Sequence, residues 1–590
     1  MNTTSPFRLP RKTPFGIAEN VAEWATGLSV LDQLYAQRPV NCSTECFLRY
    51  ALETLGIEYN IVTGHSAMIP KTGATVIVAN HPLGCVEGVI LAELLLSVRK
   101  DVKILANEFL KLVPELASLF IGVDVFDGDS AHQSNTRALR QASQHLEQCG
   151  ILLVFPAGEV SQLVDRKNLR LEDKEWSRSV STLIKKNKAT AVPIHIGGLN
   201  SKHFYFAGKV HPMLRTVMLG RELLNKKNKP INIAIGDTIK YKEVKNLKSR
   251  QLVNYLRLNT YLLGREHVNK PPTALNPSIE VPIAPALDLK DLLSDIEQLP
   301  AEHHLLSSGE FDVFCTTAEH IPSLLHEIGR VREINFRQVG EGTGMSLDID
   351  HFDKSYHHLF VWDRESKKLV GAYRLGMVDQ LLAQSDISSL YSRTLFQYDK
   401  PFLATMGNAI EMGRSVISQE YQKSMSALLL LWKGISEFVY RNPSYTHLFG
   451  PVSISNDYSD SARQLLAETM TMHHYDEIGA SFVTASNPPT HTSHSHWNTQ
   501  LLSALADVQL LSRVISKLDN GKGVPVLLKQ YLALNGKLVS FNIDPDFNNA
   551  LDGLIVVDLR AVPDKSLARY MGKDKAQHYL TMHAVTNKAR

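Results

Sequence analysis

The stretch Val76-Ile-Val-Ala-Asn-His81-Pro-Leu-Gly-Cys-Val-Glu87 decides the fold that the sequence predicts. Its apolar run, 76–79, ends abruptly in polar residues and a proline, which is typical of a buried strand leaving a sheet. In open α/β sheets the functional groups lie where such strands end. A histidine held by a carboxylate is suited to take a proton from an alcohol. His81 and Glu87 are therefore candidate catalytic residues, although a histidine at a strand end also fits a structural role.

Three more segments follow along the chain, and the last two are again short apolar strands that end in Pro, Gly and polar residues. They are Asn107-Glu-Phe-Leu-Lys-Leu-Val-Pro114, Leu152-Leu-Val-Phe-Pro-Ala-Gly-Glu-Val-Ser161 and Ala191-Val-Pro-Ile-His-Ile-Gly197. Together with the first stretch they resemble the four ordered blocks of the glycerolipid (lysophosphatidic-acid type) acyltransferase family. The resemblance implies that His81 and Glu87 are catalytic. It also implies a set of substrate-binding residues: Asn80, Gly84, Lys111, Phe155, Pro156, Gly158, Glu159 and Ser161.

Two departures from that family concern the acceptor. The acid is Glu87 rather than aspartate, with one residue more between it and His81, and Ala157 stands where the family usually has glutamate. Both departures look like the branch of the family that makes aminolipids. They disfavour a phosphate-bearing acceptor such as lysophosphatidate.

Composition describes an ordered globular protein. The chain has 590 residues, 44% hydrophobic and 21% charged, which suggests two to four domains. The five cysteines form no CxxC pair, so neither a disulfide framework nor a metal site is predicted. The first residues lack the layout of a secretory signal and no long apolar stretch follows, so a cytoplasmic protein is expected.

Positive charge is concentrated in one segment. Residues 166–250 hold 20 Lys and Arg against 6 Asp and Glu, although the net charge of the chain is only +3. This segment suits an anionic membrane surface or an acidic acyl carrier protein. Nucleic acid is not predicted, because no nucleic-acid-binding motif accompanies the charge. A solvated surface remains an alternative.

The order of elements predicts an α/β protein of two domains. Helical patterns at 15–60 precede alternating strands (75–79, 102–105, 151–155 and 191–196) and helices (86–98 and 136–148). Five prolines between residues 270 and 285 predict a linker. The predicted parts are an O-acyltransferase domain at 1–268, a Pro-rich linker at 269–290 and an N-acyltransferase domain at 291–590.

The second half contains its own ordered block. It begins at Val331-Arg-Glu-Ile-Asn-Phe-Arg337, continues through an acidic loop and two strands, and ends in Ile410-Glu-Met-Gly-Arg414. The block resembles the acyl-homoserine-lactone (autoinducer) synthase fold and, more closely, the related ornithine N-acyltransferase family. The resemblance makes Glu411 the candidate base for an amine. It also implies that a set of charged residues binds the amino acid and braces the loop: Arg337, Asp348, Asp350, Asp353 and Arg414.

The acyl donor follows from what this block lacks. After Arg414 the chain reads Ser418-Gln-Glu-Tyr-Gln-Lys-Ser424, without the glycine-rich stretch that holds a coenzyme A pyrophosphate. An acyl carrier protein thioester is the expected donor, and no bound cofactor is expected. The acidic loop lacks the glycine and the last glutamate of a calcium loop, and His491, His494 and His496 lack accompanying carboxylates or cysteines, so no metal is predicted.

The two halves together resemble the bifunctional ornithine lipid synthases of bacteria. The implied reactions are N-acylation of ornithine with a 3-hydroxyacyl chain and then O-acylation of the lyso-ornithine lipid, on the inner face of the bacterial inner membrane. Other head groups (glycine, lysine, glutamine) remain open, as does a phospholipid acyltransferase with a regulatory second domain. A serine hydrolase or a lytic membrane-binding protein is a rival from another class. Its nucleophile would be Ser66, in a segment that lacks the second glycine of a nucleophile elbow.

Overall fold

The computed structural model describes residues 5–9, 17–123, 129–165, 170–210, 215, 217–264, 281–489, 497 and 499–588. The chain forms two compact units, residues 1–267 with 494–505, and residues 268–493 with 506–590. Part of the predicted linker, 269–280, lies outside the described residues, as do His491, His494 and His496. Within the described part, no helix is both long enough and apolar enough to cross a membrane.

The first unit is built on a seven-stranded sheet of order β1-β9-β8-β2-β5-β3-β4. The sheet is largely parallel, with β8 and β9 antiparallel. A small ribbon, β6 with β7, stands apart from the sheet. The strands are β1 Tyr59–Thr63, β2 Thr75–Ala79, β3 Val102–Asn107, β4 Phe120–Val123, β5 Ile151–Val154, β6 Gln162–Asp165, β7 Arg170–Glu172, β8 Thr190–Ile196 and β9 Ile231–Ile235.

The helices of this unit cover the sheet and share its apolar core. Strand β2 is apolar and fully buried because it runs in the middle of the sheet with covered faces. Helix Cys85–Val98 buries most of its residues, as expected of a helix that is apolar on nearly every side. The helices are Ile17–Thr26, Leu28–Ala36, Thr44–Leu55, Cys85–Val98, Asp129–Glu147, Ser179–Asn187, Lys202–Val210, Leu219–Leu224, Tyr241–Val244 and Ser249–Leu263.

A short late segment of the chain belongs to this unit. The 3₁₀ helix Thr499–Ala504 packs on helix Ser249–Leu263, where the Asn254 side-chain amide donates to the Gln500 carbonyl at 2.9 Å. The Gln251 side-chain amide donates to the Ser503 carbonyl at 3.2 Å. The sequence offered no signal for this return, because the segment reads as an ordinary polar and apolar mixture.

The second unit is built on an eight-stranded sheet of order β10-β11-β12-β13-β15-β16-β19-β18. Adjacent strands of this sheet are antiparallel, except that β15 and β16 run in parallel. Two short strands, β14 and β17, pair with each other outside it. The strands are β10 His304–Ser308, β11 Phe311–Thr317, β12 His357–Asp363, β13 Lys368–Met377, β14 Phe396–Gln397, β15 Ala409–Ile417, β16 His447–Ile454, β17 Thr484–Ala485, β18 Lys537–Asp544 and β19 Ala550–Asp558. The helices are Leu289–Glu297, Pro322–Gln338, Val378–Gln384, Lys400–Met406, Met425–Arg441, Asp460–His473, Glu477–Ala480, Val508–Leu518, Val526–Ala533, Asp564–Met571 and Lys573–Lys588.

These elements confirm the predicted fold class, an α/β protein with two folded parts. The strand predicted at 75–79 is β2, the strand predicted at 191–196 is β8, and the strand predicted around Glu411 is β15. The helix predicted from Thr136 begins earlier, at Asp129. Its polar first turns carry no apolar periodicity, so the sequence signal starts late.

Candidate active sites

The first site is built at the carboxyl end of β2. Asn80 follows the strand and is almost fully buried. Its side-chain amide donates to the Ile196 carbonyl at 2.9 Å, and its side-chain oxygen accepts from the Ile196 amide at 2.7 Å. The asparagine side chain thus continues the pairing between β2 and β8 and fixes where the chain leaves the sheet. Asn80, which was predicted to bind substrate, thus holds in place the loop that carries His81.

His81 and Glu87 are brought together by that loop. The His81 Nδ1 lies 2.8 Å from the Glu87 Oε1, and the Glu87 side chain is fully buried. The same oxygen accepts from the backbone amides of Leu83 at 3.0 Å and Gly84 at 2.9 Å, at the start of helix Cys85–Val98. Gly84 has φ +91°, a conformation that favours glycine. Because Nδ1 is held by the carboxylate, Nε2 is the ring nitrogen left for a substrate on a side chain that is 18% exposed.

Three further contacts fix the backbone and ring of His81. The Phe155 ring stacks on the imidazole with centroids 4.5 Å apart. The Ser161 amide donates to the His81 carbonyl at 2.8 Å, and the His81 amide donates to the Asp173 Oδ1 at 3.3 Å. The Ser161 hydroxyl donates to the same Asp173 oxygen at 2.5 Å. Phe155 and Ser161 therefore belong to the site as predicted residues, and their contacts are with the base.

Asp173 is a site residue that the sequence did not reveal. It is almost fully buried, and its Oδ2 accepts from the Trp176 indole at 2.8 Å. It stands in the run Glu172-Asp173-Lys174-Glu175, where nothing local shows which carboxylate turns inward. A tryptophan three residues later is the nearest thing to a signal.

The remaining residues that were predicted to bind substrate make other contacts. Pro156 contributes its carbonyl, which accepts from the Ser177 amide at 2.8 Å, and Gly158 turns the chain with φ +70°. Glu159 forms ion pairs with Lys174 and Arg215. Lys111 lies in the 3₁₀ helix Glu108–Leu112 after β3, and no hydrogen bond or ion pair of the described residues joins it to the His81 loop.

A cavity of about 350 Å³ opens beside the loop. Asn80, Pro82 and Ser161 line it on the side of the base, and Tyr261 and Trp497 are among the residues that line it elsewhere. His195 also lines it. Burial lowers the pKa of His195 to about 4, so this histidine is neutral at physiological pH.

Ser66 does not form a catalytic arrangement with a histidine. It begins the 3₁₀ helix Ser66–Met68, after Gly64 with φ +72°. Among the described residues, no hydrogen bond joins its hydroxyl to a histidine ring. This geometry gives the serine hydrolase no activated nucleophile at this position.

The second site is a buried network of arginines and aspartates in the other unit. Arg332 on helix Pro322–Gln338 and Arg374 on β13 are completely buried. The Arg332 Nη1 donates to the Asp353 Oδ1 at 2.8 Å, and the Arg374 Nη1 lies 3.4 Å from the other Asp353 oxygen. Burial by itself raises the pKa of Asp353, but the two guanidinium charges outweigh it and hold that pKa well below its usual value. Asp353 is therefore ionised and neutralised inside the protein.

Asp350 extends the network to the surface of the loop. It accepts from Arg374 Nη1 at 2.6 Å and lies 3.7 Å from Arg414 Nη2. It also caps the 3₁₀ helix His351–Lys354 by accepting from the Phe352 amide at 2.9 Å. The predicted acidic loop is thus braced by arginines on two strands.

Arg414 has an unusual backbone and an incompletely bonded side chain. Its φ is +49°, at a point where the pairing of β13 with β15 shifts register. Such a bulge re-aims a side chain. The Arg414 guanidinium lies over the rings of Tyr391, at 5.1 Å, and Phe547, at 4.7 Å. Its Nε lies 3.3 Å from the Asp348 Oδ2 without forming a hydrogen bond, and Asp348 is itself almost fully buried.

Glu411, the candidate base, is 1% exposed. Its Oε1 accepts from the Ser392 amide at 2.7 Å, and its Oε2 accepts from the Tyr391 amide at 3.0 Å and from the Tyr356 hydroxyl. Burial and the charge of Glu411 raise the pKa of Tyr356 well above its usual value, so this phenol remains a donor. Three protein donors therefore already hold this buried carboxylate.

Among the described residues, no hydrogen bond or ion pair joins Arg337 to the arginine and aspartate network. Its Nε donates to the Glu333 Oε1 at 2.6 Å, and its Nη2 donates to the carbonyls of Val281 at 2.9 Å and Met345 at 2.7 Å. The Arg337 guanidinium instead ties helix Pro322–Gln338 to the chain at Val281 and at Met345.

Arg332 and Arg374 occupy the place that the sequence interpretation gave to Arg337. Arg374 had a signal, since it is a charged residue inside the apolar strand Leu369-Val-Gly-Ala-Tyr-Arg-Leu375. A charged residue inside such a run requires a buried partner. Arg332 had none, because an arginine inside a helix of mixed apolar and charged residues is expected to face solvent.

Comparisons with known proteins match both halves of the chain. Residues 33–268 match the family described as Acyltransferase, and residues 331–433 match the Acetyltransferase (GNAT) domain. A glycine N(alpha)-acyltransferase of Bacteroides thetaiotaomicron is 29% identical over 273 residues, covering 43% of this chain and 80% of that protein. A second, from Phocaeicola vulgatus, is 25% identical over 45% of this chain and 86% of that protein.

The other kind of relative transfers an acyl group to oxygen. A lyso-glycine lipid O-acyltransferase of Bacteroides thetaiotaomicron is 28% identical over 225 residues, which is 37% of this chain and 76% of that protein. One chain therefore resembles both an N-acyltransferase and an O-acyltransferase, with an acyltransferase match in its first half and a GNAT match in its second. The protein is an acyltransferase of two α/β domains.

Proposed function

We propose that the protein makes an aminolipid by two successive acyl transfers. The second unit forms an amide between an acyl thioester and the α-amine of an amino acid, releasing a thiol. The first unit forms an ester between a second acyl thioester and the 3-hydroxyl of the resulting lyso-lipid, again releasing a thiol. The observation that carries this proposal is the presence of two distinct polar centres, each inside the half that matches an acyltransferase or a GNAT domain.

In the O-acyl transfer, His81 is the proposed base. Its Nε2 accepts the hydroxyl proton while the oxygen attacks the thioester carbonyl, and the proton then passes to the leaving thiolate. Glu87 holds Nδ1 at 2.8 Å, so the imidazole keeps one orientation and its developing positive charge is stabilised. Asp173 and Ser161 hold the backbone of His81 in place.

In the N-acyl transfer, Arg414 is the proposed ligand of the α-carboxylate. Its Nε has no hydrogen-bond partner among the described residues, and a carboxylate is the ligand that a guanidinium binds best. Glu411 is the proposed acceptor of the amine proton, with the amine replacing one of its present donors. The deprotonated nitrogen then attacks the thioester carbonyl.

Acyl carrier protein thioesters are the proposed donors. The basic segment 166–250 supports this, because an acidic carrier and anionic head groups are attracted by the same charge. The proposed location is the cytoplasmic side of the bacterial inner membrane, bound peripherally. Joining both activities in one chain raises the effective concentration of the second site for a poorly soluble intermediate.

The family resemblance and the similar proteins point to different head groups. The resemblance of the second half implies ornithine, whereas the similar proteins named above act on glycine and on lyso-glycine lipid. We propose ornithine, with glycine as the alternative. The charges around Arg414 favour ornithine, as argued in the next subsection.

Lipid extracts from a heterologous bacterium that expresses the full chain test the proposal. Mass spectrometry should find a new diacylated aminolipid, with one amide-linked and one ester-linked chain. The head group is read from its fragment. A host whose lipids stay unchanged, while the purified protein fails to acylate any amino acid with a carrier-protein thioester, would overturn the proposal.

A further inference from the structure

Charge is balanced in the Arg414 network and unbalanced beside it. Three arginines (Arg332, Arg374 and Arg414) pair with three aspartates (Asp348, Asp350 and Asp353). Three more buried carboxylates lie close by, at Glu341, Asp544 and Asp552. None of the ion pairs formed by the described residues includes them. They therefore form an acidic group without a cation of its own.

The sheet brings these three acids to one place. On β19, Asp552 stands between Ser453 of β16 and Asn542 of β18 in the strand register. Asp544 is two residues beyond Asn542, so it lies on the same face of β18. Glu341 reaches this face from the loop after helix Pro322–Gln338, and its Oε2 accepts from the Ser453 hydroxyl at 3.0 Å.

These three carboxylates are buried and accept few hydrogen bonds. Exposure is 8% for Glu341, 4% for Asp544 and 5% for Asp552. Asp544 accepts one backbone hydrogen bond, from the Asp546 amide at 3.0 Å. Asp552 accepts no hydrogen bond from any described residue. A carboxylate taken out of water without partners is destabilised, so a ligand that brings positive charge gains binding energy here.

The electrostatics agree with that geometry. Burial raises the pKa of all three carboxylic acids, and that of Glu341 to about 7. The charges of Glu341 and Asp544 raise the pKa of Asp552 further. Arg414 opposes the shift at each of the three, so its positive charge acts on the whole group.

Arg414 joins the group to the proposed carboxylate ligand. Its side chain is 10% exposed, and its Nε lacks a hydrogen bond. The Phe547 ring, three residues after Asp544, lies beside its guanidinium. A cationic ligand for carboxylate and an acidic group for ammonium thus stand next to each other, and this pair of charges is what an amino acid presents.

The acidic group exceeds what a simple amino acid needs. The α-ammonium must lose its proton before it attacks a thioester, so it is a cation only before the reaction. A side-chain ammonium keeps its charge throughout and requires an anionic partner in a buried site. Glycine has no such group.

We propose that Glu341, Asp544 and Asp552 bind the side-chain ammonium of the amino acid, so that the N-acyl site selects amino acids with a second amine, such as ornithine or lysine. This inference rests on the proposed function of the second unit. These residues determine specificity and do not take part in the chemical step. Asp552 carries the largest share, because no described residue donates a hydrogen bond to it.

The test compares ornithine with L-norvaline, an amino acid with the same number of carbon atoms. L-Norvaline has the carbon chain of ornithine without its side-chain ammonium. Purified full-length protein is given an acyl carrier protein thioester with ornithine, lysine, norvaline or glycine. Wild-type kcat/KM should be about 10- to 100-fold higher for ornithine than for norvaline, the range for a charged hydrogen-bonded contact. Equal values, or a preference for glycine, would overturn the inference.

Substitutions locate the preference. Asp552→Asn and Glu341→Gln should raise the KM for ornithine about 10-fold or more with little change in kcat, and leave norvaline acylation near wild type. Asp457→Asn is the matched control, since this nearby acid has a half-exposed side chain. An unchanged KM for ornithine in both variants would reject the assignment. Norvaline acylation shows that each variant is folded, and if both variants lose it, the wild-type preference decides alone.

The same assay separates two kinds of failure. If the wild-type protein acylates amino acids without preferring a second amine, the specificity inference is wrong and the proposed function stands. If it acylates no amino acid at all, the proposed function of the second unit is wrong.

Discussion

The two candidate centres place their proposed bases in different surroundings. In the first unit, one histidine is held by one buried carboxylate, with an aromatic ring stacked on it. In the second unit, three arginines and three aspartates surround the site, and three further acids lie beside them. The proposed alcohol acceptor is neutral, so one general base is enough to remove its proton. An amino acid brings charges of both signs, and a buried site must match each of them.

The largest effect is expected where one residue carries the chemistry. His81→Ala should lower O-acylation of a supplied lyso-lipid about 10²- to 10⁴-fold, because the general base is lost. N-acylation should continue, so the mono-acylated lipid accumulates in a producing host. His203→Ala, at an exposed histidine of the same unit, is the control. Normal diacylated product from His81→Ala would show that His81 is not the base.

A similar experiment addresses the second centre. Glu411→Gln should lower N-acylation about 10²-fold or more if its carboxylate accepts the amine proton, with O-acylation of supplied lyso-lipid unchanged. Tyr356→Phe removes one donor to Glu411 and leaves the carboxylate, so it should reduce the rate far less. A Glu411→Gln enzyme with a wild-type rate and pH profile would leave Glu411 with only a bracing role for the chain at Tyr391 and Ser392.

The charge network predicts a large change in stability. Arg374→Met takes one of two arginine partners from each of Asp350 and Asp353, leaves the network with one excess negative charge and should lower the free energy of unfolding by about 3–5 kcal/mol. Arg337→Met should cost about 1 kcal/mol, because its partner Glu333 keeps hydrogen bonds from Thr343 and Gly344. Denaturant unfolding of both variants provides the measurement. Equal losses would show that the two arginines are equally embedded.

The smallest effect is a dependence on pH. Burial raises the pKa of Glu341 to about 7, so the folded state holds this proton more tightly than the unfolded state. Stability from this group is full below the unfolded pKa of about 4.5 and is lost as pH rises towards 7. The loss should amount to about 1–3 kcal/mol.

Glu341→Gln should remove that part of the pH dependence. Ser453, Asp457, Asp544, Asp552 and Arg414 face Glu341 and remain in the variant, so the difference between the two proteins isolates this carboxyl group. Thermal unfolding at pH 5 and pH 8 is the measurement. Identical pH profiles for wild type and variant would contradict the raised pKa.

Much of the first centre was predictable because its parts are local. His81 and Glu87 are six residues apart, and one turn at the start of a helix brings them into contact. The apolar run before His81 indicated a buried strand, and β2 has the predicted bounds. The second centre was predictable in its acidic loop and in β15. The prediction named Arg337, whereas the structure brings Arg332 to the acidic loop, because the arginines of one helix (Arg330, Arg332 and Arg337) cannot be told apart from sequence alone.

Sequence alone determined the α/β fold class, the strand before His81 and the spacing that lets His81 meet Glu87. Tertiary structure decided which distant charges join each centre: Asp173 reaches His81 across 92 residues, and Glu341 reaches Ser453 across 112. The physical reason is range. Local patterns reflect steric and hydrophobic preferences of neighbouring residues, whereas the partner of a buried charge is fixed only when the whole sheet has folded and excluded water.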